Sequence, residues 1–152
     1  MVENITNGLD DALSQWIKKL DKQTADMSPA DQLDIAMAGG QVFEKHLRDE
    51  TKSKHYSSHN DKKFGHAADH IGMYVPKTNG GRSEINTRFG TVIVGWKNRY
   101  HAMNMMRLND GTKHQIADHF VTNLRHDPQV RAEILEAEQK KYQEVIRKKG
   151  ND

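Results

Sequence analysis

One stretch, "SPADQLDIAMAGGQVFEKHLRDE" at residues 28–50, constrains the fold most because its helical signals agree with one another. Ser28 is a good N-cap, Pro29 suits the first helical position, and Asp31 puts a carboxylate in the first turn. An apolar face follows at helical spacing, formed by Leu33, Ala36, Met37, Gly40, Phe43 and Leu47. The sequence therefore predicts a long helix against which the rest of a small domain packs.

Two glycines lie inside this predicted helix. Each of Gly39 and Gly40 should cost on the order of 1 kcal/mol of helix stability relative to alanine. A close approach by another backbone would explain them. We therefore expect another element, or another subunit, to lie against this turn.

The size and composition of the chain allow one modest core. It has 152 residues, of which 35% are hydrophobic, so we expect a single domain over residues 1–152. There is no cysteine, which excludes disulfides, cysteine zinc sites and thiol nucleophiles. No segment approaches the roughly 20 apolar residues that cross a bilayer, and no signal peptide is recognisable. We therefore expect a soluble protein, made in a cytoplasm, with no membrane partner.

Two further helical patterns lie near the ends of the chain. An amphipathic helix is predicted over residues 8–22, with an apolar stripe formed by Leu9, Leu13, Trp16, Ile17 and Leu20. Asp127 caps and Pro128 begins a C-terminal helix over about 127–149, whose last turns are rich in Lys and Arg. Its apolar positions are sparse, namely Val130, Ile134, Leu135, Tyr142, Val145 and Ile146. We therefore expect this helix to project from the domain and to pack partly on a partner.

The middle of the chain predicts a loop and a small sheet. Residues 51–63 are polar without apolar periodicity, which indicates a long loop. The runs "IGMYVP" and "TVIVGW" predict an antiparallel hairpin or meander, and the glycines between them supply turns. Residues 100–108 fit either a strand or a helix. Their methionines are expected to provide adaptable packing rather than metal ligands. The expected fold class is α+β, with a small antiparallel sheet, N-terminal helices packed on it and a long C-terminal helix.

Charge is unevenly distributed, although the net charge is only +2. Residues 1–44 carry 3 Lys/Arg against 8 Asp/Glu, residues 45–107 carry 12 against 5, and residues 108–152 carry 8 against 8. Besides a solvated lysine-rich loop, two interpretations are open: contact with nucleic acid, or contact between copies in which an acidic face meets a basic one.

Four histidines form two pairs at i, i+4 spacing: His55 with His59, and His66 with His70. Such pairs can bind zinc from one helical face. Neither pair has the glutamate of an H-E-x-x-H motif, and Asp69 is the only obvious third ligand. We therefore predict no metal site and no cofactor, with a zinc protein as a less favoured alternative. His55 and His59 are assigned to a mobile loop, and His66 and His70 to a short ordered turn, with His70 near a subunit contact.

The sequence contains no pattern typical of an active site. No serine lies in a G-x-S-x-G elbow, and "TNGGRS" has too few glycines, in the wrong order, for a phosphate-binding loop. The carboxylate pairs Asp10-Asp11 and Asp49-Glu50 are expected on solvated helix surfaces. We predict a protein that is not an enzyme, with no catalytic residue.

Non-specific nucleic-acid binding is the main alternative among the functions that residues alone suggest. In the basic segment 52–88, Tyr56 and Phe64 are interleaved with the cations. Those cations are Lys52, Lys54, Lys62, Lys63, Lys77, Arg82 and Arg88. The segment matches no named nucleic-acid-binding motif, so only electrostatic contact with a phosphate backbone is expected.

Several short motifs follow one another in an order typical of a known family. The turn "GHAADHI" begins at Gly65 and ends at Ile71, with Ala67 and His70 where that family has leucine and serine. Val94-Gly95 ends a strand, and Gly111-Thr112 follows "YHA", with Asn109 in place of a glutamate. Phe120 then opens the last helices.

In this order, over about residues 30–148, the chain resembles the tail-completion family of long-tailed double-stranded-DNA phages, also called minor tail components or neck proteins. The resemblance implies a small α+β subunit that forms a ring, commonly six-fold, at the head–tail joint. It implies neighbouring head-connector or stopper proteins and tail-terminator or tail-tube proteins as partners, with possible passing contact with genomic DNA. The implied location is the virion, and the host cytoplasm during assembly.

Overall fold

The structure is a computed structural model, and it describes residues 27–56, 62–75 and 91–150, together with residues 14, 15, 18, 19 and 22. Those five isolated residues are helical and exposed. They lie within the helix predicted for residues 8–22, whose apolar stripe falls outside the described residues. The predicted turns at residues 79–81 and 90 also fall outside them.

The first long helix, α1, spans Pro29–His55 and begins where its local signals predict. Ser28 Oγ accepts a hydrogen bond from the backbone N–H of Asp31 at 3.2 Å, and Asp31 Oδ2 accepts from the backbone N–H of Ser28 at 3.0 Å. This reciprocal pair is a capping box, with Pro29 in the first helical position. The start of the helix is therefore fixed by four consecutive residues.

The end of α1 corrects the predicted loop over residues 51–63. The helix continues to His55, so the first five residues of that prediction are wrong. Thr51 is completely buried, and its hydroxyl donates to the carbonyl of Leu47 at 2.6 Å, which satisfies it without water. Residues 57–61 lie outside the described part of the chain. The last turn of α1 is therefore helical despite its polar composition, because other elements cover it.

A two-stranded antiparallel sheet follows, as the sequence predicts. A short 3-10 helix at Ala67–His70 leads into β1 (Ile71–Tyr74), which pairs with β2 (Ile93–Trp96). The register joins Ile71 to Trp96 and Tyr74 to Ile93. The 3-10 helix is the short ordered turn expected at His66 and His70.

Three more helices complete the described fold: α2 (Arg99–Asp110), α3 (Phe120–His126) and α4 (Pro128–Gly150). Residues 100–108, for which the sequence fits either a strand or a helix, lie in α2 and are therefore helical. At its end, Gly111 has a φ of +80°, which favours glycine, and its N–H donates to the carbonyl of Arg107. The described residues thus form four α-helices and a two-stranded sheet, and the fold class is α+β.

The core lies where α1, the sheet and the three later helices meet. Its buried side chains are Leu47, Ile71, Met105, Phe120, Leu124 and Val130. Phe120 is fully buried, and the ring of Trp96 meets it edge-on at 6.3 Å between centroids. Met105 is a core residue, whereas Met103 and Met106 are exposed on α2.

Helix α4 runs antiparallel along α1 and does not project, which corrects the sequence-based expectation. Near its start, His46 Nε2 of α1 lies 2.5 Å from Glu133 Oε2. Near its end, Lys149 Nζ lies 2.7 Å from Asp31 Oδ2, and Val145 is buried. Val130 and Val145 of α4 are buried, and a polar contact with α1 lies near each end of the helix.

Gly39 and Gly40 lie where other elements come close, as predicted, although the nearest groups are side chains rather than backbone. A Cβ at Gly39 would overlap the side chain of Glu138 on α4. A Cβ at Gly40 would lie 2.6 Å from the sulfur of Met73 on β1. Each glycine thus makes room for a different neighbour. Among the described residues, no helix is both long and apolar enough to cross a membrane.

Candidate functional site

The four histidines of the zinc hypothesis have separate environments. His55 lies in the last turn of α1, where its ring meets Phe120 edge-on at 4.5 Å. Its Nε2 is buried and lies 2.7 Å from Asp118 Oδ2, although the angle falls short of hydrogen-bond geometry. His55 is therefore an interior residue rather than part of a mobile loop. His59 lies outside the described residues.

His66 and His70 point to different partners. His66 stacks on Tyr56 at 4.1 Å, and His70 stacks on His101 at 4.9 Å. Within residues 27–56, 62–75 and 91–150, no three His, Asp or Glu side chains are grouped as a metal site requires.

Aromatic and imidazole rings cluster where the end of α1 meets the start of α2. We call this the ring cluster: Tyr56, Phe64, His66, His70, Tyr100 and His101. Phe64 and Tyr100 stack at 4.3 Å, and the buried His101 has its Nε2 2.8 Å from the carbonyl oxygen of Phe64. The ammonium group of Lys63 lies 5.1 Å from the centroid of the Phe64 ring. Tyr56 and Tyr100 remain half exposed, so the cluster has an outer aromatic face beside lysines.

A second surface feature is a groove of about 650 Å³ between α1, α3 and α4. We call it the apolar groove. Its lining residues are Phe43, Leu124, Arg125, Val130, Arg131, Ile134 and Leu135. Leu135 is 65% exposed and, with the other apolar lining residues, gives the groove an apolar surface that solvent reaches.

Two arginines flank the apolar groove. The side chains of Arg125 and Arg131 are exposed, and neither forms an ion pair with any residue that the structure describes. Arg125 also lines a smaller cleft of about 200 Å³ that includes Trp96 and the exposed Met106. Apolar surface beside arginine is a composition typical of protein–protein interfaces.

The perturbed ionisable groups lie mainly along the contact between α1 and α4. Lys149 and Ser28 lower the pKa of Asp31 from 3.8 to about 2. The hydrogen bond with His46 lowers the pKa of Glu133, whereas burial over Gly39 raises the pKa of Glu138. Asp31 and Glu133 pair with residues across this contact, whereas Glu138 is perturbed by burial alone. Among the described residues, these groups do not converge on one cleft.

Sequence reasoning named several of these residues but missed how they combine. Phe43 was assigned to a buried face, whereas it is only half-buried and lines the apolar groove. Arg125 and Arg131 received no role. One signal in the sequence indicates an exposed apolar residue here. Ile134 and Leu135 are adjacent, so on a helix their side chains point in different directions, and only one of them can lie on the face that buries Val130.

Comparison with known proteins supplies no further information on this site. No protein-family model, no curated protein sequence and no solved structure matches the chain.

Proposed function

We propose that this chain is a structural virion protein of the head–tail joint of a long-tailed phage, with no enzymatic activity. Copies of it assemble into a ring that links the head connector to the tail. The proposal begins from the order of motifs that resembles the tail-completion family. Its physical support comes from the surface of the described residues and from the structural roles of the motif residues.

The apolar groove carries the proposal. A groove of about 650 Å³ with an exposed leucine and two flanking arginines is suited to another polypeptide rather than to a small polar substrate. A ring contact is heterologous, so each copy presents two different complementary faces. The groove provides one such face.

The motif residues behind the resemblance have structural roles, which agrees with an assembly protein. Phe120 is the centre of the core, and Gly111 terminates α2 in a conformation that a side chain would strain. A Cβ at Gly111 would also lie 2.9 Å from the backbone nitrogen of Ala117. Asn109, which stands where the family has a glutamate, joins α2 to α3 by hydrogen bonds, so this role comes from a departure from the family pattern. Such residues maintain the fold of the subunit, and a ring protein acts through the shape of its folded subunits.

The mechanism is geometric. A closed ring forms a platform that neither the head connector nor the tail tube builds from one copy, with six-fold symmetry as the family's common arrangement. DNA passes through such a ring, and a strongly basic channel would retard it by holding its phosphates. We therefore assign the basic segment 52–88 to contacts with protein rather than to the channel wall. Before assembly the subunit is located in the host cytoplasm, and after assembly it is part of the virion.

Light scattering coupled to size exclusion, followed by negative-stain imaging, tests this function. We expect a ring of defined mass, either alone or with the head-connector and tail proteins of the same virion. A strict monomer in the presence of those proteins contradicts the proposal.

A second candidate function, non-specific nucleic-acid binding, is favoured by one observation. The ring cluster presents the half-exposed Tyr56 and Tyr100, and the ammonium group of Lys63 lies 5.1 Å from the ring of Phe64, which stacks on Tyr100. Exposed aromatic rings beside cations are typical of surfaces on which bases stack. This candidate predicts affinity for single-stranded or duplex DNA that falls steeply with salt.

The two functions separate in one titration. If the chain binds DNA through the ring cluster, Lys62→Ala with Lys63→Ala weakens binding and lowers the salt dependence. Lys140→Ala with Lys141→Ala, a matched change on α4, leaves binding unaltered. Absence of salt-dependent DNA binding in the unaltered protein rejects this candidate.

A further inference from the structure

The apolar groove has a composition suited to binding one amphipathic helix. Its floor is made by Leu124, Val130 and Ile134, and its rim by Leu135 and the two arginines. Helix-in-groove recognition uses apolar side chains spaced three or four residues apart, with charged residues at the edge of the contact. The question is which helix supplies them.

The N-terminal segment of the same sequence has the matching pattern. Residues 8–22 place an apolar stripe at helical spacing, with members Leu9, Leu13, Trp16, Ile17 and Leu20. The described residues of this segment, Ser14, Gln15, Lys18, Lys19 and Lys22, are polar, helical and exposed. A helix of this length would extend about 22 Å, enough to cover a groove bounded by a few helical turns.

Charge complementarity also favours this occupant. Asp10 and Asp11 flank the start of the apolar stripe, whereas Arg125 and Arg131 flank the groove. Neither guanidinium is in an ion pair with a described residue, so both are available to an incoming carboxylate. Bidentate pairing between arginine and a carboxylate adds orientation to the apolar contact.

We infer that the apolar groove binds the N-terminal segment, residues 8–22, of a second copy of this chain. This inference rests on the proposed ring, because an N-terminal segment that leaves one subunit and enters the groove of the next gives the heterologous contact that closes a ring. Each copy then contributes one segment and one groove. The acidic start of the chain meets the arginines of its neighbour at every interface.

The absence of cysteine makes a specific cross-linking experiment possible. Two chains of different length, one bearing Leu13→Cys and one bearing Leu135→Cys, are co-expressed, purified and treated with a short bis-maleimide. Leu135 is exposed, so its replacement leaves the fold intact. We expect a product with the summed mass of the long and short chains. In the control, Gln143→Cys replaces Leu135→Cys at an exposed position about 12 Å further along α4, and the yield falls at least tenfold.

A second variant tests the same contact without cross-linking. Leu135→Asp is expected to raise the concentration needed for assembly at least tenfold, while its circular dichroism matches that of the unaltered protein. Gln143→Asp serves as the matched charge control and should assemble normally.

Three outcomes distinguish this inference from the proposed function. A ring by light scattering without the Leu13–Leu135 product overturns the groove contact and leaves the ring standing. A product formed only within one chain, when both cysteines are on that chain, shows that the segment covers its own groove and overturns the contact between copies. A strict monomer in the presence of the other virion proteins overturns both.

Discussion

Asn109 connects two helices through both ends of its side-chain amide. Its Oδ1 accepts from the backbone N–H groups of Val121 at 2.9 Å and Thr122 at 3.1 Å, at the start of α3. Its Nδ2 donates to Thr122 Oγ1 at 3.0 Å. His119, the residue before α3, provides no side-chain cap. A residue of α2 therefore caps the next helix.

Replacement of Asn109 should be costly because it leaves two N–H groups at a helix start without an acceptor. We expect Asn109→Ala to lower the free energy of unfolding by about 2 to 3 kcal/mol, measured by urea denaturation. Asn104→Ala is the matched control on α2, since Asn104 makes no side-chain hydrogen bond with a described residue. Its effect should stay within about 0.5 kcal/mol. Equal losses for the two variants would contradict the capping role.

Asp31 predicts a pH dependence of stability. Its folded pKa of about 2 lies below the ordinary value of 3.8, mainly because Lys149 and Ser28 hydrogen-bond to the carboxylate. A lowered folded pKa adds stability that is complete above the unfolded pKa and is lost as the pH falls through the folded one. The stability difference between the unaltered protein and Asp31→Asn should therefore be constant from pH 7 to 5 and shrink between about pH 5 and 2.

Thermal unfolding at several pH values measures this difference. Asp34→Asn is the control, because Asp34 is exposed on the same helix and forms no ion pair with a described residue. Its difference from the unaltered protein should not change over the same range. A difference for Asp31→Asn that does not depend on pH would contradict a folded pKa of Asp31 lowered by Lys149 and Ser28.

At the scale of elements, the contact between α1 and α4 organises the described fold. Ion pairs near both ends and the close approach at Gly39 hold the two helices antiparallel. Glu138 lies over Gly39, and burial raises its pKa, so the carboxylate is held in a place that disfavours its charge. The glycine is what permits this arrangement.

A double-mutant cycle at Gly39 and Glu138 tests that contact. Gly39→Ala alone should destabilise the protein by about 1 to 2 kcal/mol, because overlap with Glu138 outweighs the gain in helix propensity. In a Glu138→Ala background the overlap disappears, so the same substitution should stabilise by up to about 1 kcal/mol. The unfolding midpoints of the four proteins give the coupling free energy between positions 39 and 138. Additive effects would mean that Glu138 does not restrict position 39.

The starts of α1 and α4 were predictable, whereas the start of α3 and the end of α1 were not, for a physical reason. Ser28-Pro29 and Asp127-Pro128 cap their helices through atoms within three residues, and such local signals are visible in the sequence. The last turn of α1 depends instead on neighbours that bury Thr51 and contact His55. The choice between strand and helix for residues 100–108 likewise depends on neighbours, because it follows from the burial of Met105 and His101.

Surface sites were harder to predict than elements, since a groove belongs to several helices at once. Phe43, Leu124 and Leu135 come from three different helices, and no spacing in the sequence links them. The ring cluster shows the same difficulty. His66 and His70 suggested a metal by their spacing, yet their rings stack on Tyr56 and His101 instead.

At the scale of the whole molecule, the chain combines a modest core with an apolar groove that lies open on its surface. The described residues leave Leu135 mostly exposed, while the arginines beside it have no ion-pair partner among those residues. A subunit that completes its packing only in contact with another copy is suited to ordered assembly. On this account, one ring of such subunits joins two structures that were built separately.

If the chain belongs to a phage, as proposed, electron microscopy of that phage with an early stop codon in this gene tests the central claim most directly. If the chain forms the joint, the lysate should contain separate heads and tails, with infectious particles restored when the gene is supplied in trans. Intact particles with normal tails and normal infectivity would contradict a role at the head–tail joint.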